Sequence, residues 1–178
     1  MPSSGAQVPR PAAAPWEAGL RVVLVAAHEW RSYRRIRLQA LADSPLAFGS
    51  TLELERQLPE SAWRSRLTPG SQRWTWTART SRGWLGLVSA VRDGEEELEL
   101  VSMWVDPRAR RRGLARILIA EVVARHCQLG TKRLCLWVAE DNPRARGCCR
   151  SCGFSPTGRR QPFPLDPTRL EVQMRWRE

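Results

Sequence analysis

The sequence predicts a mixed α/β domain with a mostly antiparallel central sheet flanked by helices. Three observations support this fold class. Apolar residues alternate with a period of two between residues 73 and 105, helical periodicity governs residues 28–42 and 114–123, and an apolar strand returns at residues 133–139. A meander of strands, followed by helix, strand, helix and a last strand, gives a mixed sheet without an internal repeat.

Each element has its own local signal. Pro45 closes the first long helix, Pro59 opens a second short one, and Asp93-Gly94 is typical of a hairpin turn. Asn142-Pro143 begins a late helix that ends at Gly153. The expected strands are Arg21 to Ala26, Arg73 to Arg79, Trp84 to Val91, Glu96 to Val105, Arg133 to Ala139 and Leu170 to Trp176, and the expected helices are His28 to Ala42, Pro59 to Leu67, one from Leu114 and one from Pro143.

Length and composition indicate one globular domain. The chain has 178 residues with 42% hydrophobic content, and no stretch approaches the roughly 20 apolar residues that span a bilayer. We expect residues 1–20, rich in Pro, Ala and Ser, to form a disordered tail rather than a signal peptide, and residues 21–178 to form the domain. Five cysteines without an export signal favour reduced thiols in the cytoplasm, and their spacing indicates no metal site.

The net charge of +11 is concentrated in the second half of the chain. Between Arg108 and Arg160 basic residues far outnumber acidic ones, which favours an anionic ligand there. A coding bias that spreads arginine over the surface is the alternative explanation. A nucleic-acid surface is disfavoured, because aromatic and basic residues do not interleave as in a stacking platform.

The junction between the strand that ends at Val105 and the helix that starts near Leu114 is suited to phosphate. A helix N-terminus leaves N–H groups unpaired and carries the positive end of the helix dipole. Gly113 lets the backbone approach a ligand, and several arginines surround the same point. The residues match neither a P-loop nor a dinucleotide-binding fingerprint.

Two linked frames identify a family resemblance. Arg110-x-x-Gly113-x-Ala115 resembles the Arg/Gln-x-x-Gly-x-Gly/Ala signature of the GNAT acetyltransferase superfamily, whose loop wraps the pyrophosphate of acetyl-coenzyme A (acetyl-CoA). The later frame, from Asn142 through Ala145 to Gly153-Phe154, resembles the family's Asn-x-x-Ala-x-x-Leu-Tyr-x-x-x-Gly-Phe. The resemblance covers most of the chain after about residue 20 and implies the GNAT acyltransferase fold with acetyl-CoA as acyl donor.

The resemblance also implies a set of binding residues. The pyrophosphate would lie on the loop and first helical turn formed by Arg110, Arg111, Arg112, Gly113, Leu114, Ala115 and Arg116. Backbone groups of Trp104 and Val105 would pair with the pantetheine arm and polarise the thioester, and Asn142 would contact the same arm. The segment from Ala40 to Thr51 is similar to the family's substrate-side loop and makes Phe48, Ser50 and Thr51 candidates for a substrate wall.

The catalytic candidates come from the same comparison. Glu99 stands where family members carry the glutamate that accepts the proton of the amine, with Glu97 as second choice and a solvated acidic hairpin as the alternative. Cys149 occupies the position of the family's tyrosine, so it is the candidate proton donor. Covalent acceptance of the acetyl group by Cys149 and simple packing are its alternatives. Strand alternation puts Glu99 and Val105 on one face, and Leu98, Leu100, Ser102 and Trp104 on the other.

These features predict an N-acetyltransferase that acts on the primary amine of a small molecule by direct attack in a ternary complex. Acetylation of a protein lysine or N-terminus, and a non-catalytic acyl-CoA sensor, remain alternatives. The expected partners are acetyl-CoA and an amine, without a membrane or nucleic acid, and a homodimer stays open. The proline-punctuated segment Arg159 to Pro167 is expected to connect to the last strand, either as the opposite wall of the substrate site or as a covering loop.

Overall fold

The protein is described here over residues 19–177 of a computed structural model. In chain order a first strand is followed by three helices, three strands, a helix, a strand, a helix and two final strands. The predicted tail at residues 1–20 lies outside the described residues except for Gly19 and Leu20. The strands are β1 (Arg21–Leu24), β2 (Arg73–Thr80), β3 (Gly83–Asp93), β4 (Glu97–Val105), β5 (Arg133–Ala139), β6 (Phe154–Phe163) and β7 (Asp166–Trp176). The helices are α1 (Trp30–Asp43), α2 (Leu52–Arg56), α3 (Glu60–Ser65), α4 (Leu114–Leu129) and α5 (Pro143–Ser151).

One seven-stranded sheet runs through the structure in the order β1-β2-β3-β4-β5-β7-β6. The β4–β5 pair is parallel and the other pairs are antiparallel, so the predicted mixed, mostly antiparallel sheet is confirmed. The β4–β5 pairing is confined to Glu97–Glu99 against Arg133–Cys135. Beyond these residues β4 continues to Val105 alongside β3 alone, and β5 continues alongside β7. The two central strands therefore separate toward their carboxyl ends.

Two apolar cores lie on opposite faces of the sheet. The larger core packs α4 against the strands through Leu118 and Val122, together with Leu98 and Leu100 of β4. The second core packs α1 and α3 against the other face around Tyr33 and Trp63, whose rings meet edge to face at 5.7 Å. Helices α1, α3 and α4 therefore bury an apolar side against the sheet, which is the arrangement that a layered α/β domain requires.

A bulge interrupts β4 at Ser102. Ser89 of β3 pairs with Val101 and Leu87 pairs with Trp104, so β4 contains one extra residue. Ser102 has a φ of 57°, a left-handed value that is unfavourable for a residue other than glycine. The extra residue puts Val105 with Leu98 in the larger core and Trp104 in the second core. Strict alternation had assigned these two residues to the wrong faces.

Other expectations about single elements also need correction. Helix α2 was not predicted, because the segment after Thr51 is too short for a clear helical period. The expected connection from Arg159 to Pro167 is largely strand, since β6 runs to Phe163 and β7 begins at Asp166. Pairing with the partner strand overrides the local effect of the prolines there.

The buried side of α4 is formed by Leu114, Leu118, Ile119 and Val122. Ile117, which helical periodicity placed on this side, is 40% exposed. The prediction for Ile117 was wrong, because the buried face is centred on Leu114, Leu118 and Val122 and its remaining position is taken by Ile119.

We expect Leu118→Ala to lower the free energy of unfolding by about 2–5 kcal/mol, because it leaves a cavity under the centre of the sheet. Ile117→Ala, one position earlier on the same helix, serves as the control and should change it by about 1 kcal/mol or less. Urea denaturation of both variants measures the difference. Equal losses would contradict the assignment of the buried face.

Candidate functional site

The segment between β4 and α4 is held in place by Asp106. Its carboxylate is buried and accepts hydrogen bonds from the Arg108 amide at 2.9 Å, the Arg108 guanidinium at 2.8 Å and Gln39 Nε2 at 3.2 Å. The side-chain hydrogen bond of Arg108 is the main reason that the pKa of Asp106 is lowered. An ionised carboxylate at this point fixes the 3₁₀ turn Pro107–Ala109 and thereby the start of the loop.

The loop then approaches α4 through two left-handed residues, Arg111 with φ of 63° and Gly113 with φ of 80°. Gly113 is the N-cap of α4 and has no side chain to accept hydrogen bonds from the first turn. Ile117 N–H is the first to bond back into the helix, to Gly113 O at 3.2 Å. The preceding N–H groups are thus placed to bind an anion at the positive end of the helix dipole.

Asp43, at the end of α1, joins the loop to β4. Its Oδ2 accepts a hydrogen bond from Trp104 Nε1 at 2.8 Å and forms an ion pair with Arg110. Burial raises the pKa of Asp43, but hydrogen bonds from Ser44, Trp104 and Arg110 outweigh it and lower the pKa. The Arg110 guanidinium, predicted to bind pyrophosphate, is therefore turned toward Asp43.

The remaining loop arginines differ in their surroundings. Arg116 donates to the carbonyl of Ser151 at 3.0 Å and so links α4 to the end of α5. Arg111 and Arg112 are exposed at the mouth of the loop. Leu114 is buried in the larger core and Ala115 packs against that core, so these two residues offer a ligand their backbone. The structure thus brings the predicted loop residues together but directs their side chains differently.

The gap between β4 and β5 exposes backbone of Val105. Asp106 N–H donates to Leu85 O of β3 at 2.8 Å, and successive residues of a strand alternate in the direction of their hydrogen bonds. Val105 therefore turns its N–H and carbonyl toward the gap, where the carbonyl accepts a hydrogen bond from Arg110 Nε at 2.9 Å. Trp104, the other predicted residue, pairs with Leu87 of β3. Of these two residues it is therefore Val105 whose N–H points into the gap.

Asn142 stands across the gap, after β5. Its Oδ1 accepts a hydrogen bond from Ala145 N–H at 3.0 Å, which makes Asn142 the N-cap of α5 as its sequence position indicated. This bond occupies the carbonyl end of the side chain and directs the amide end away from the helix. Asn142 is consequently oriented by the helix that it caps.

Cys149 lies inside α5 and packs against the larger core beside Cys148 and Cys152. Burial, with a smaller effect of the two neighbouring thiols, raises the pKa of Cys149 to about 12. The thiol therefore stays protonated at neutral pH. A protonated thiol can donate a hydrogen bond, but it is a poor nucleophile, which argues against covalent acetylation at this residue.

Glu99 is half-buried on β4 at the last position that pairs with β5. Burial raises its pKa, and the neighbouring carboxylates of Asp93, Glu97 and Glu171 raise it further. Glu97, the second candidate base, instead forms an ion pair with Arg133 at 2.9 Å. Of the two acids Glu99 is better suited to accept a proton, because its ionised form is not held by a cation.

The predicted substrate wall lies partly in the core. Phe48 is 5% exposed and stacks under the Arg37 guanidinium, whose carbon lies 4.6 Å from the ring centre. Thr51 Oγ1 caps α2 through Leu54 N–H at 3.2 Å, and Ser50 is half-buried. The wall is therefore lined by the polar residues rather than by the Phe48 ring.

The turn between β6 and β7 faces this segment. A methyl group placed on Gly49 would lie 3.4 Å from Pro164 Cγ, and Arg169 donates to Leu46 O at 3.3 Å. Arg169 also forms an ion pair with Asp141 at 2.7 Å, just after β5. The turn around Pro164 therefore packs against the 44–51 segment, and Arg169 ties the start of β7 to it.

Sequence reasoning missed a buried polar cluster on the face of the sheet that is covered by α1 and α3. Arg37 and Glu55 form an ion pair at 2.7 Å, and Arg66 reaches the other Glu55 oxygen at 3.0 Å. Ser102 Oγ accepts hydrogen bonds from Arg37 and Arg73. The arginines were hidden among many others in the composition, and Glu55 lies on the helix that was not predicted. Asp43 was missed because a charged residue at a helix end carries no distinctive sequence pattern.

Two depressions mark the surface near the sheet. One of about 640 Å³ lies at the β3–β4 hairpin, lined by residues such as Arg92 and Lys132, at the end of β4 away from the loop. The other, of about 340 Å³, is lined in part by Asp141 and Arg169 and adjoins the carboxyl end of β5. We favour the second as part of the site because the gap opens at that end.

Within residues 19–177 no helix is long and apolar enough to cross a membrane. The same part of the chain contains no group of three or more His, Cys, Asp or Glu side chains arranged to hold a metal ion.

Comparison with known proteins gives a consistent family. The model of the acetyltransferase (GNAT) family matches residues 30–154. A comparison with curated proteins by sequence gives no match. Among solved structures, a GNAT-family acetyltransferase from Streptococcus pneumoniae superposes with a TM-score of 0.75 at 16% identity, covering 88% of this chain and 97% of that one.

Two further structures share the fold at the same level of identity. Spermidine N-acetyltransferase from Vibrio cholerae, in complex with CoA and spermine, gives a TM-score of 0.67 at 16% identity over 89% of this chain and 95% of that chain. Ribosomal-protein-S18-alanine N-acetyltransferase from Escherichia coli gives 0.65 at 16% identity over 88% and 92%. At such identity the likeness concerns the fold, and the acceptors of these proteins differ from each other.

We expect iodoacetamide at pH 8 to alkylate Cys127, which is exposed, and to leave Cys149 unmodified in the folded protein. The reason is that the reagent reacts with thiolates, and the pKa of Cys149 keeps its thiol protonated. Peptide mass spectrometry gives the modified fraction at each site, with the urea-unfolded protein as control for intrinsic reactivity. Equal labelling of both cysteines in the folded state would contradict the assignment.

Proposed function

The chain belongs to the GNAT acetyltransferase family, and we propose that it transfers an acetyl group from acetyl-CoA to the primary amine of a small molecule by direct attack in a ternary complex. The observation that carries the proposal is the uncapped start of α4 at Gly113, placed directly beside the gap where β4 and β5 separate. One feature suits a diphosphate and the other suits an extended thioester arm. Residues 21–178 act as one domain in this proposal.

The donor would occupy both features at once. The N–H groups around Gly113, Leu114 and Ala115 bind the pyrophosphate, and the exposed guanidinium groups of Arg111 and Arg112 add charge. Arg110 positions the loop through Asp43, and Arg116 ties α4 to α5. The pantetheine arm lies in the gap between Val105 and Asn142, as an added strand would. Trp104 helps to hold the β4 side of the gap in place, because its indole N–H donates a hydrogen bond to Asp43.

The chemistry requires a free amine and a stabilised leaving group. The amine nitrogen attacks the thioester carbonyl carbon, whose developing negative charge is stabilised by Val105 N–H. Glu99 accepts the proton that the nitrogen loses, through water. When the carbon–sulfur bond breaks, the protonated Cys149 thiol donates a hydrogen bond or its proton to the departing sulfur. The products are the N-acetyl amide and CoA.

The cleft between the 44–51 segment and the β6–β7 turn is the proposed acceptor site, with Ser50 and Thr51 on one wall. The contact between Gly49 and Pro164 closes one side of this site, which favours a small molecule over a protein lysine or N-terminus. The five cysteines are all free thiols, which supports action in a reducing compartment such as the cytoplasm.

A non-catalytic acyl-CoA sensor is the second candidate, and Cys149 in place of the family's tyrosine favours it. The two functions differ in turnover, since a sensor binds acetyl-CoA and releases no CoA when a library of primary amines is added.

We expect the double variant Arg111→Ala/Arg112→Ala to raise the Kd of acetyl-CoA about 10- to 100-fold, since each charge-assisted hydrogen bond contributes about 1.5–3 kcal/mol and exposure reduces it. Isothermal titration calorimetry measures the affinity. Arg82→Ala, in the exposed β2–β3 turn, is the control and should bind like the parent protein. An unchanged Kd in the double variant would refute the proposed pyrophosphate site.

We expect Glu99→Gln to lower kcat/KM about 10²- to 10⁴-fold while leaving the Kd of acetyl-CoA unchanged. Since Glu99 must be ionised to act as a base, activity of the parent protein should fall as the pH drops through its pKa, which is raised above the ordinary value of a glutamate. This limb of the pH profile should vanish in Glu99→Gln. Glu95→Gln, in the exposed hairpin, is the matched control, and an unaltered profile in Glu99→Gln would exclude Glu99 as the base.

A further inference from the structure

Three arginines converge under α1–α3 around one carboxylate. Arg37 binds Glu55 through Nε and through Nη2, with distances of 3.1 and 2.7 Å, and Arg66 binds it at 3.0 Å. Glu55 is 2% exposed and Arg37 is 6% exposed, so both charges are removed from water. Burial raises the pKa of Glu55, but Arg37 and Arg66 outweigh this effect and lower it. Glu55 is therefore ionised and fully occupied by these two cations.

Arg73, the third arginine, has no carboxylate partner among the described residues. Its Nη2 donates to Ser102 Oγ at 3.2 Å, and its Nε is buried without a hydrogen-bond acceptor. Burial, together with the like charges of Arg66 and Arg37, lowers the pKa of Arg73 despite the opposing effect of Tyr33. A buried guanidinium is ordinarily paired with an anion, so Arg73 is short of one.

Tyr33 adds a second unused donor at the same place. Its side chain is completely buried, its hydroxyl oxygen faces the guanidinium groups of Arg66 and Arg73, and its O–H has no acceptor within residues 19–177. Buried polar atoms rarely stay unpaired. The hydroxyl and the Arg73 Nε together form a small donor pair that lacks its acceptor.

The donor pair lies on the face of the sheet that carries the proposed base. Arg73 is aligned with Val91 on β3, and Val91 is aligned with Glu99 on β4, so Arg73 and Glu99 are two strands apart in one row. Neighbouring strands are about 4.8 Å apart, which separates the two backbone positions by about 10 Å. Long side chains from both ends of this distance can reach two groups of one small molecule.

On these grounds we propose that the acetyl acceptor is an amine that also carries a carboxylate, and that Arg73 and Tyr33 bind this carboxylate while the amine faces Glu99. The inference rests on the proposed function and specifies its acceptor class. A planar guanidinium matches the two oxygens of a carboxylate, and the tyrosine hydroxyl supplies a further donor. A polyamine would instead bring a second cation against Arg73, which disfavours that class of acceptor.

The test compares matched acceptors that differ in one group. The twenty common amino acids are screened with acetyl-CoA, and each acetylated one is compared with its carboxamide and with its decarboxylated amine. We expect kcat/KM to fall at least about 100-fold when the carboxylate is replaced. In Arg73→Gln the preference for the amino acid over its carboxamide should fall about tenfold or more, and Arg73→Lys should restore part of it.

A second variant distinguishes loss of carboxylate binding from misfolding of the protein. Tyr33→Phe keeps the buried ring and removes only the hydroxyl, whose O–H has no acceptor within the described residues, so it should largely keep the thermal stability while it raises the KM of the amino acid. Arg79→Gln is the control, because Arg79 lies on the same strand and pairs with Glu29 instead. It should leave the preference unchanged.

Two outcomes separate the inference from the function on which it rests. Equal acetylation of amino acids, carboxamides and decarboxylated amines would overturn the carboxylate site and leave the acetyltransferase in place. Calorimetric binding of the amino acid to the protein with CoA is read independently of turnover. Binding that is lost in Arg73→Gln would support the site even if no acetyl transfer were found, and absence of binding together with absence of preference would overturn it.

Discussion

The separation of β4 from β5 is the constraint on which the rest of the structure depends. Three paired positions hold the strands together, after which each follows a different neighbour. The bulge at Ser102 occurs just where β4 loses β5, and an extra residue increases the local twist of a strand. Backbone groups that would otherwise pair inside the sheet become available to a ligand. An interior gap of this kind gives the molecule a binding surface without a separate domain.

A set of hydrogen bonds holds the β4 side of the gap and the loop in place against α1. Asp43 connects the end of α1 to Trp104 and Arg110, and Asp106 connects the loop to Gln39 of α1. Helix α1 therefore contacts both the loop before α4 and, through its own end, the 44–51 segment. Gly86 of β3 lies directly behind β4, where a methyl group would be 2.9 Å from Trp104 O, so the strand can sit close to its neighbour. The proposed donor and acceptor sites would thus share one support.

The order of most elements, the loop that ends at Gly113 and the helix cap at Asn142 were predictable from the sequence, because each has a local pattern of apolar period, glycine or capping residue. The sheet faces on which Trp104 and Val105 lie were not predictable, because the sequence does not show that a bulge adds a residue to β4 before them. The short helix α2 and the strand pairing after Arg159 depend on tertiary contacts.

The candidate site was likewise predictable only in part. The predicted loop and strand-end residues are adjacent in the structure, but the directions of Arg110 and Arg116 follow from Asp43 and the Ser151 carbonyl, which lie far away in the chain. Phe48 was chosen by likeness to the family's substrate-side loop, but it is buried as part of the second core, with the Arg37 guanidinium over its ring. Only the three-dimensional arrangement distinguishes Arg73 from the other arginines, since composition treats all of them alike.

The short seam between β4 and β5 has a mechanical consequence. Strands β5, β7 and β6 with helix α5 form one sub-assembly, and the earlier strands form another, joined along that seam and by α4. A ligand bound in the gap between β4 and β5 would contact both sub-assemblies and stabilise their association. Any ligand that binds the native state and not the unfolded chain raises the free energy of unfolding by an amount that keeps growing with the logarithm of its concentration even after the site is saturated.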